Sequence, residues 1–403
     1  MNDSSRLHGL DAVRALALLG GIVLHACMSF LPGFREVGWP ISDRSPSITL
    51  GVLFYVIHTF RMTTFFLVAG YFGHMLFHRK GAGAFVRDRL LRIAVPLVVG
   101  WPLLFPPIVV AFIWGASKLS GDAPQPSPPL SSGSLSFPLT HLWFLYVLLW
   151  LYALVLLVRA VFACVIDRSG QLRQKSDRCV QSLLRSGLAS LALAAPLCAS
   201  LYFHEGWVMW LGIPTPDQSL IPNVPAFVGF VTAFSLGWLV QRQPDLLQTW
   251  ERQWLVHLTM AIILTVVALA LAGVVPTFTP TEPGTTKLAY AVCYTIAVWN
   301  GTFAVIGMGL RFCSEPNPTL RYLADSSYWL YLIHLPIIFL AQVLVMQWEL
   351  HWSIKFVLIL GTTLPLMLLS YHYLVRSTFI GGVLNGRRYA RVTQTVVRAE
   401  PTS

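Results

Sequence analysis

Apolar residues run almost unbroken through ten stretches of this chain, each about the length that carries an α-helix across a bilayer, roughly 20 residues. They cover residues 10–30, 50–77, 91–116, 141–161, 183–203, 222–240, 254–274, 287–310, 327–346 and 354–375. The pattern predicts an all-α fold, a polytopic membrane bundle of about ten transmembrane helices, with an even count that puts both termini on one side. The fifth and sixth stretches are the weakest, because Pro196, Pro222 and Pro225 interrupt them. Membrane helices tolerate proline where neighbours satisfy the freed carbonyls. Between the apolar stretches, residues 121–136 are rich in Pro, Ser and Gly and read as an irregular loop. The basic segment 167–185 reads as a short helix lying along the membrane surface. Residues 1–380 form one transmembrane domain, and 381–403 a basic tail expected to be disordered. No internal repeat of the kind that marks many transporters is evident.

Composition sharpens this. The chain of 403 residues is 55% hydrophobic and only 11% charged, where a soluble domain carries about 25% charged residues. With the N-terminus inside, twenty-one Lys and Arg fall in inner segments and five in outer loops. That asymmetry predicts cytoplasmic N- and C-termini and a multi-pass protein of the cell inner (plasma) membrane. The net charge of +11 follows from the same bias and suits anionic membrane lipids, so nucleic acid is not expected as a partner. Six cysteines include no Cys-x-x-Cys pair, so neither a disulfide framework nor a cysteine metal site is implied, and most read as small buried apolar residues. No other metal motif is present. Asp11 and Arg14 interrupt the first apolar stretch, which therefore reads as an uncleaved helix and not as a signal peptide.

Ionisable residues inside the spans are the candidates for chemistry, because they are costly in a membrane and usually face a protein interior or a wet cavity. Arg14 and His25 share the first span. Eleven residues is close to three helical turns, so both lie on nearly one face, roughly 16 Å apart along the axis. Arg14 alone could snorkel to headgroups; His25, deeper, suits a general base. In the second span His58 and Arg61 stand one turn apart in the outer half, and with His25 they are expected to line one cavity. Arg61 has no carboxylate near it in sequence; Asp43 or Glu205 folding back, or an anionic ligand, are the two ways to meet it. The aromatics around it read mostly as lipid-facing packing, and Ala69 with Gly70 permits close approach of a helix or ligand. Arg89 and Arg92 lie one turn apart at the inner surface, suited to phosphate oxygens but equally to topology. His141 opens the fourth span at the outer surface beside Trp143, where an interfacial anchor is the plainer reading. His334 lies in the inner part of the ninth span, where a structural hydrogen bond competes with catalysis.

Taken in order, these motifs form a set: Arg14 with His25, then Phe65, Phe66, Leu67, Val68, Ala69, Gly70 and Tyr71, then Arg89 to Arg92, then His141, Leu142, Trp143 and Phe144, then Ser327 to His334. The set resembles the membrane acyltransferase-3 family over nearly the whole chain, and the run His58 to Met62 resembles the glucan-biosynthesis C branch, which is assigned succinylation of periplasmic glucans. The resemblance implies transfer of an acyl group, acetyl or succinyl, from cytoplasmic acyl-CoA to a hydroxyl of an extracytoplasmic glycan or other envelope molecule. It implies no permanently bound cofactor, with acyl-CoA as a donor substrate. By resemblance His25 takes the catalytic position with Arg14 as its paired arginine, and Arg89 and Arg92 bind the donor; Arg61, His58, His141 and His334 are the substrate-binding candidates. The family often has Ser-Gly where this chain has Ala69 and Gly70. The competing class is a transporter or flippase of an anionic solute or lipid-linked glycan, which would also use intramembrane Arg and His but would not explain the ordered motifs.

Overall fold

A computed structural model describes residues 3–119, 137–162, 167, 169–386 and 389, with only the backbone of residues 3–7. The loop 121–136 and almost all of the tail 381–403 beyond Gly386 lie outside the described residues, so the expectations for them do too. Each of the ten apolar stretches is largely helical, the fifth with a break between Arg185 and Ala189, and the described residues hold no β-strand. The helices are α1 (Asp3–Cys27), α2 (Ile48–Lys80), α3 (Ala82–Arg89), α4 (Val95–Leu119), α5 (Trp143–Val161), α6 (Gln171–Arg185), α7 (Ala189–Tyr202), α8 (Val224–Val240), α9 (Leu247–Ala272), α10 (Thr285–Phe312), α11 (Pro318–Val345), α12 (Trp352–Ser370) and α13 (Phe379–Asn385).

The expectation of ten full spans needs correction. Among the described residues eight helices are long and apolar enough to cross a membrane, or nine if a bent pair counts as one. The pair is α6 with α7, bent by 104° at a break where Gly187 has φ +75, a left-handed conformation that favours glycine. The fourteen residues of α7 reach roughly 21 Å and the seventeen of α8 roughly 26 Å, short of about 30 Å of hydrocarbon. These are the two stretches marked as weakest in the sequence, at Pro196, Pro222 and Pro225.

Burial sorts the helices into an inner and an outer set. The apolar windows of α1, α2, α10 and α11 are 61%, 50%, 72% and 56% buried within the protein, against 17% for α9 and 22% for α12. Outer helices present Val98, Leu103, Leu157, Val256 and Val357 outward, as a lipid-facing surface requires. In the centre, α1 packs on α2, α10, α11 and α12. Helices α2 and α8 meet at two glycines: a Cβ at Gly70 would fall 2.0 Å from the Phe234 carbonyl oxygen, and one at Gly237 1.9 Å from that of Leu67. Small residues allow such backbone contact in a membrane, where dispersion and hydrogen bonding drive helix association. The aromatics beside Gly70 are core rather than lipid-facing. Phe66 is fully buried and stacks on Phe230 at 4.4 Å, and Tyr71 is buried as well.

At the end of α1 that follows His25, the segment after Phe30 is pinned by a buried ion pair. Lys355 Nζ donates to Asp43 Oδ1 at 2.7 Å, with both side chains out of solvent. Asp43 is therefore committed to α12 and does not reach Arg61; Glu205 stays exposed. Lys287 is likewise held, donating to the His204 carbonyl at 3.1 Å. Of the cysteines described, Cys27 is buried, Cys198, Cys293 and Cys313 are half-buried, and Cys179 is exposed, so the expectation of burial holds for fewer than the sequence suggested.

Candidate active site

A cavity of about 830 Å³ opens between α1, α2, α5 and α11. Its two ends differ in chemistry. Arg14, Arg79, Lys80, Arg89 and Arg92 line one end, with Asp11 and Asp325; His25, Arg61, His141 and His334 line the other. Apolar walls join them, among them Leu18, Phe65, Val68, Phe72 and Leu148. The single helix face that carries Arg14 and His25 is the axis of this arrangement, as its spacing of eleven residues requires.

At the imidazole end three histidines from three elements converge. The rings of His25 and His334 lie 5.0 Å apart, and those of His141 and His334 5.2 Å. Their hydrogen bonds assign the tautomers, since carbonyl and thioether atoms only accept. His334 Nδ1 donates to the Tyr331 carbonyl at 2.7 Å, which leaves its Nε2 with the lone pair. His25 Nδ1 lies 3.2 Å from Met28 Sδ, a weak acceptor that favours the proton on Nδ1 and the lone pair on Nε2. His141 has the opposite tautomer: Nε2 donates to the Leu332 carbonyl at 2.8 Å and Nδ1 faces the Thr140 hydroxyl at 3.4 Å. The interfacial-anchor reading of His141 is thus overturned. The residue is 6% exposed, and it sits on a 3-10 turn, Thr140–Leu142, whose first residue has φ +51. A non-glycine residue there costs of order 1–3 kcal/mol and is held by its surroundings; here Tyr331 donates to the His141 carbonyl at 2.7 Å. His334 is not confined to the inner part of its span but meets His25 deep in the bundle.

Two contacts fix the other groups. Gln342 Nε2 donates to the carbonyls of His25 and Ala26 at 2.9 and 3.0 Å, satisfying carbonyls near the end of α1 that have no helical partner. Arg61 lies against Gly21, where a Cβ would fall 2.1 Å from its Nη1. Gly21 is one turn before His25, so the guanidinium and the imidazole face the same space. No carboxylate among the described residues lies within 4 Å of Arg61, and its Nε is shut from solvent without a partner. His58 does not line the cavity, contrary to expectation. It stacks on Phe54 with rings 5.5 Å apart, and Phe54 stacks on Trp210.

At the basic end the arginines are not bare. Asp88 accepts from Arg89 Nη2 at 2.5 Å and from Lys80 at 2.6 Å, and lies 3.4 Å from Arg92 Nε. Arg89 also lies over the rings of Phe85 and Tyr152 at 5.5 and 5.4 Å. A π-helical turn, Leu90–Ala94, carries the chain from α3 into α4 here; such turns recur at functional sites. Arg14 pairs with Asp11 at 3.2 Å and remains about 39% exposed towards the cavity mouth. Sequence reasoning missed Asp88 and Gln342. A polar residue in an apolar helix was the available signal for Gln342.

A cavity with imidazoles at one end and a cluster of cations at the other is an arrangement that an integral-membrane transferase of acyl groups could use. Residues 7–372 match the acyltransferase-3 family, described as an acyltransferase domain, and the chain belongs to that family. It is 32% identical over 148 residues to the glucans biosynthesis protein C of Shigella dysenteriae serotype 1 (strain Sd197), and equally to those of Escherichia coli O6:K15:H31 and E. coli strain SMS-3-5. Each alignment covers 36% of this chain and spans 37% of the relative's length. No solved structure matches.

Proposed function

We propose that the protein takes acyl-CoA at the basic end of the cavity and transfers its acyl group to a hydroxyl of an extracytoplasmic glycan or other envelope molecule at the histidine end. The observation that carries this reading is the single cavity lined by both ends, because a thioester donor and a hydroxyl acceptor must meet at one base. His25 Nε2 accepts the acceptor hydroxyl's proton as its oxygen attacks the thioester carbonyl. The tetrahedral intermediate then expels the coenzyme A thiolate, which leaves with that proton as the thiol. Arg14, Arg89 and Arg92 hold donor phosphates, for which guanidinium forks are suited. The excess of basic residues on the N-terminal side supports cytoplasmic termini, donor uptake from the cytoplasm and residence in the inner membrane. The names of the relatives support a glucan as acceptor.

The test is to incubate the purified protein with acyl-labelled acyl-CoA and an envelope glycan fraction. Label should move to the glycan, and His25→Ala should lower the rate by about 10²–10⁴, the usual worth of a positioned base, while the protein stays folded in detergent. Labelled donor that crosses a vesicle membrane intact without transfer would establish a transporter instead. A folded His25→Ala variant with near-normal turnover would remove His25 from the mechanism.

A further inference from the structure

A second cavity, of about 460 Å³, lies behind the basic end. Leu91 and Arg92 wall it on one side and Phe379, Val383 and Gly386 on the other, with Asp88 between. Arg92 and Gly386 line both cavities, so the two share a wall. The contact there is close: a Cβ at Gly386 would fall 1.4 Å from Arg92 Nη2, so the guanidinium lies directly on the glycine that ends α13. Gly386 has φ +72. Four of the seven residues lining this second cavity lie beyond residue 372, outside the family domain.

The chemistry of the groove is specific. Phe379 is 64% exposed although it is a large aromatic, and it offers an open π face. Asp88 already accepts from Lys80 and Arg89 and lies near Arg92, but its two oxygens keep lone pairs that can accept from an amino group as well. Arg92, between the two cavities, carries a guanidinium suited to phosphate oxygens. A flat aromatic ring bearing an exocyclic amine, joined to phosphates, satisfies all three. We propose that this groove is the subsite for the adenine nucleotide end of the donor, with the pantetheine arm running past Arg92 into the main cavity. This rests on the reading that acyl-CoA is the donor. Helix α13 then contributes a donor-recognition surface that the family domain does not supply, and Phe379 is the stacking residue in it.

Binding measurements on the full-length protein in detergent test this without knowledge of the acceptor. The probes are coenzyme A and 4′-phosphopantetheine, which lacks the nucleotide. Wild type should bind coenzyme A at least tenfold more tightly than 4′-phosphopantetheine. Phe379→Ala, at an exposed position, should weaken coenzyme A about tenfold, as loss of one base–aromatic stack does, and leave 4′-phosphopantetheine unchanged. Phe379→Trp, which keeps a stacking face, should retain coenzyme A binding. Wild-type affinity for coenzyme A in Phe379→Ala overturns the assignment of the groove. Equal wild-type affinities for the two probes overturn it as well and leave the donor reading standing. Failure of the wild type to bind either probe removes the donor reading and this inference together.

Discussion

Arg61→Gln asks what the unpaired guanidinium beside His25 is for. The variant keeps most of the side-chain length and one hydrogen-bonding group and removes the charge. In the structure the guanidinium faces the cavity at Gly21, without a carboxylate within 4 Å among the described residues and with Nε unsatisfied. A charged donor left in that state is costly unless substrate supplies the anion. A dicarboxylic acyl group such as succinyl would do so with its free carboxylate, held by two charge-assisted bonds of about 1.5–3 kcal/mol each. Glutamine can replace one of them with a neutral bond. The net loss is then about 3 kcal/mol, on the order of 100-fold in kcat/KM. Acetyl carries no carboxylate, so its transfer should fall by no more than about threefold. The assay is transfer of label from succinyl-CoA and from acetyl-CoA to an isolated envelope glycan fraction, wild type against variant. Equal losses for both donors would refute the reasoning. The guanidinium would then be acting on the thioester carbonyl oxygen, which the two donors share.

Two further outcomes follow from the contacts described. Replacing both Arg89 and Arg92 with Gln should weaken coenzyme A binding, and the wild-type advantage should shrink as added salt screens the charges; affinity unchanged at low salt would return both residues to a topological role. Lys355→Ala should destabilise the protein by about 3–5 kcal/mol, because Asp43 is left charged and buried, whereas Lys355→Met with Asp43→Leu should restore most of the thermal midpoint in detergent. A double variant as unstable as the single one would show that the pair stabilises the fold beyond neutralising its own charges.

Much of the helical architecture was legible because each stretch of apolar residues had to become a helix to satisfy its backbone in lipid. The lengths were less so. The sequence marks 183–203 as one stretch, but the chain breaks at Gly187 and turns by 104°, and hydropathy carries no term for such a bend. Depth was also hidden. His141 stands at the start of an apolar stretch, which reads as a membrane surface. In the structure residues 137–142, just before α5, pack against the bundle, with Trp101 donating to the Pro138 carbonyl at 2.8 Å, and His141 is buried among the helices.

The site shows the same division between what a helix face dictates and what tertiary packing decides. Arg14 and His25 share a face by spacing alone, and the cavity follows that face. His58 and Arg61 are three residues apart, which is one turn of height but also about 60° of rotation. That rotation sends His58 to Phe54 and Arg61 to Gly21, so equal proximity in sequence ends in opposite environments. The charges at the basic end divide differently again. Asp88 neighbours Arg89 in sequence, yet its role depends on Lys80 returning from α2 to the same carboxylate. One anion among three cations leaves the cluster with a net positive charge. A cation-rich mouth leading to three imidazoles is the polarity that the proposed transfer from a phosphate-bearing donor would use: positive charge to hold the donor, and a ring nitrogen to take the acceptor's proton.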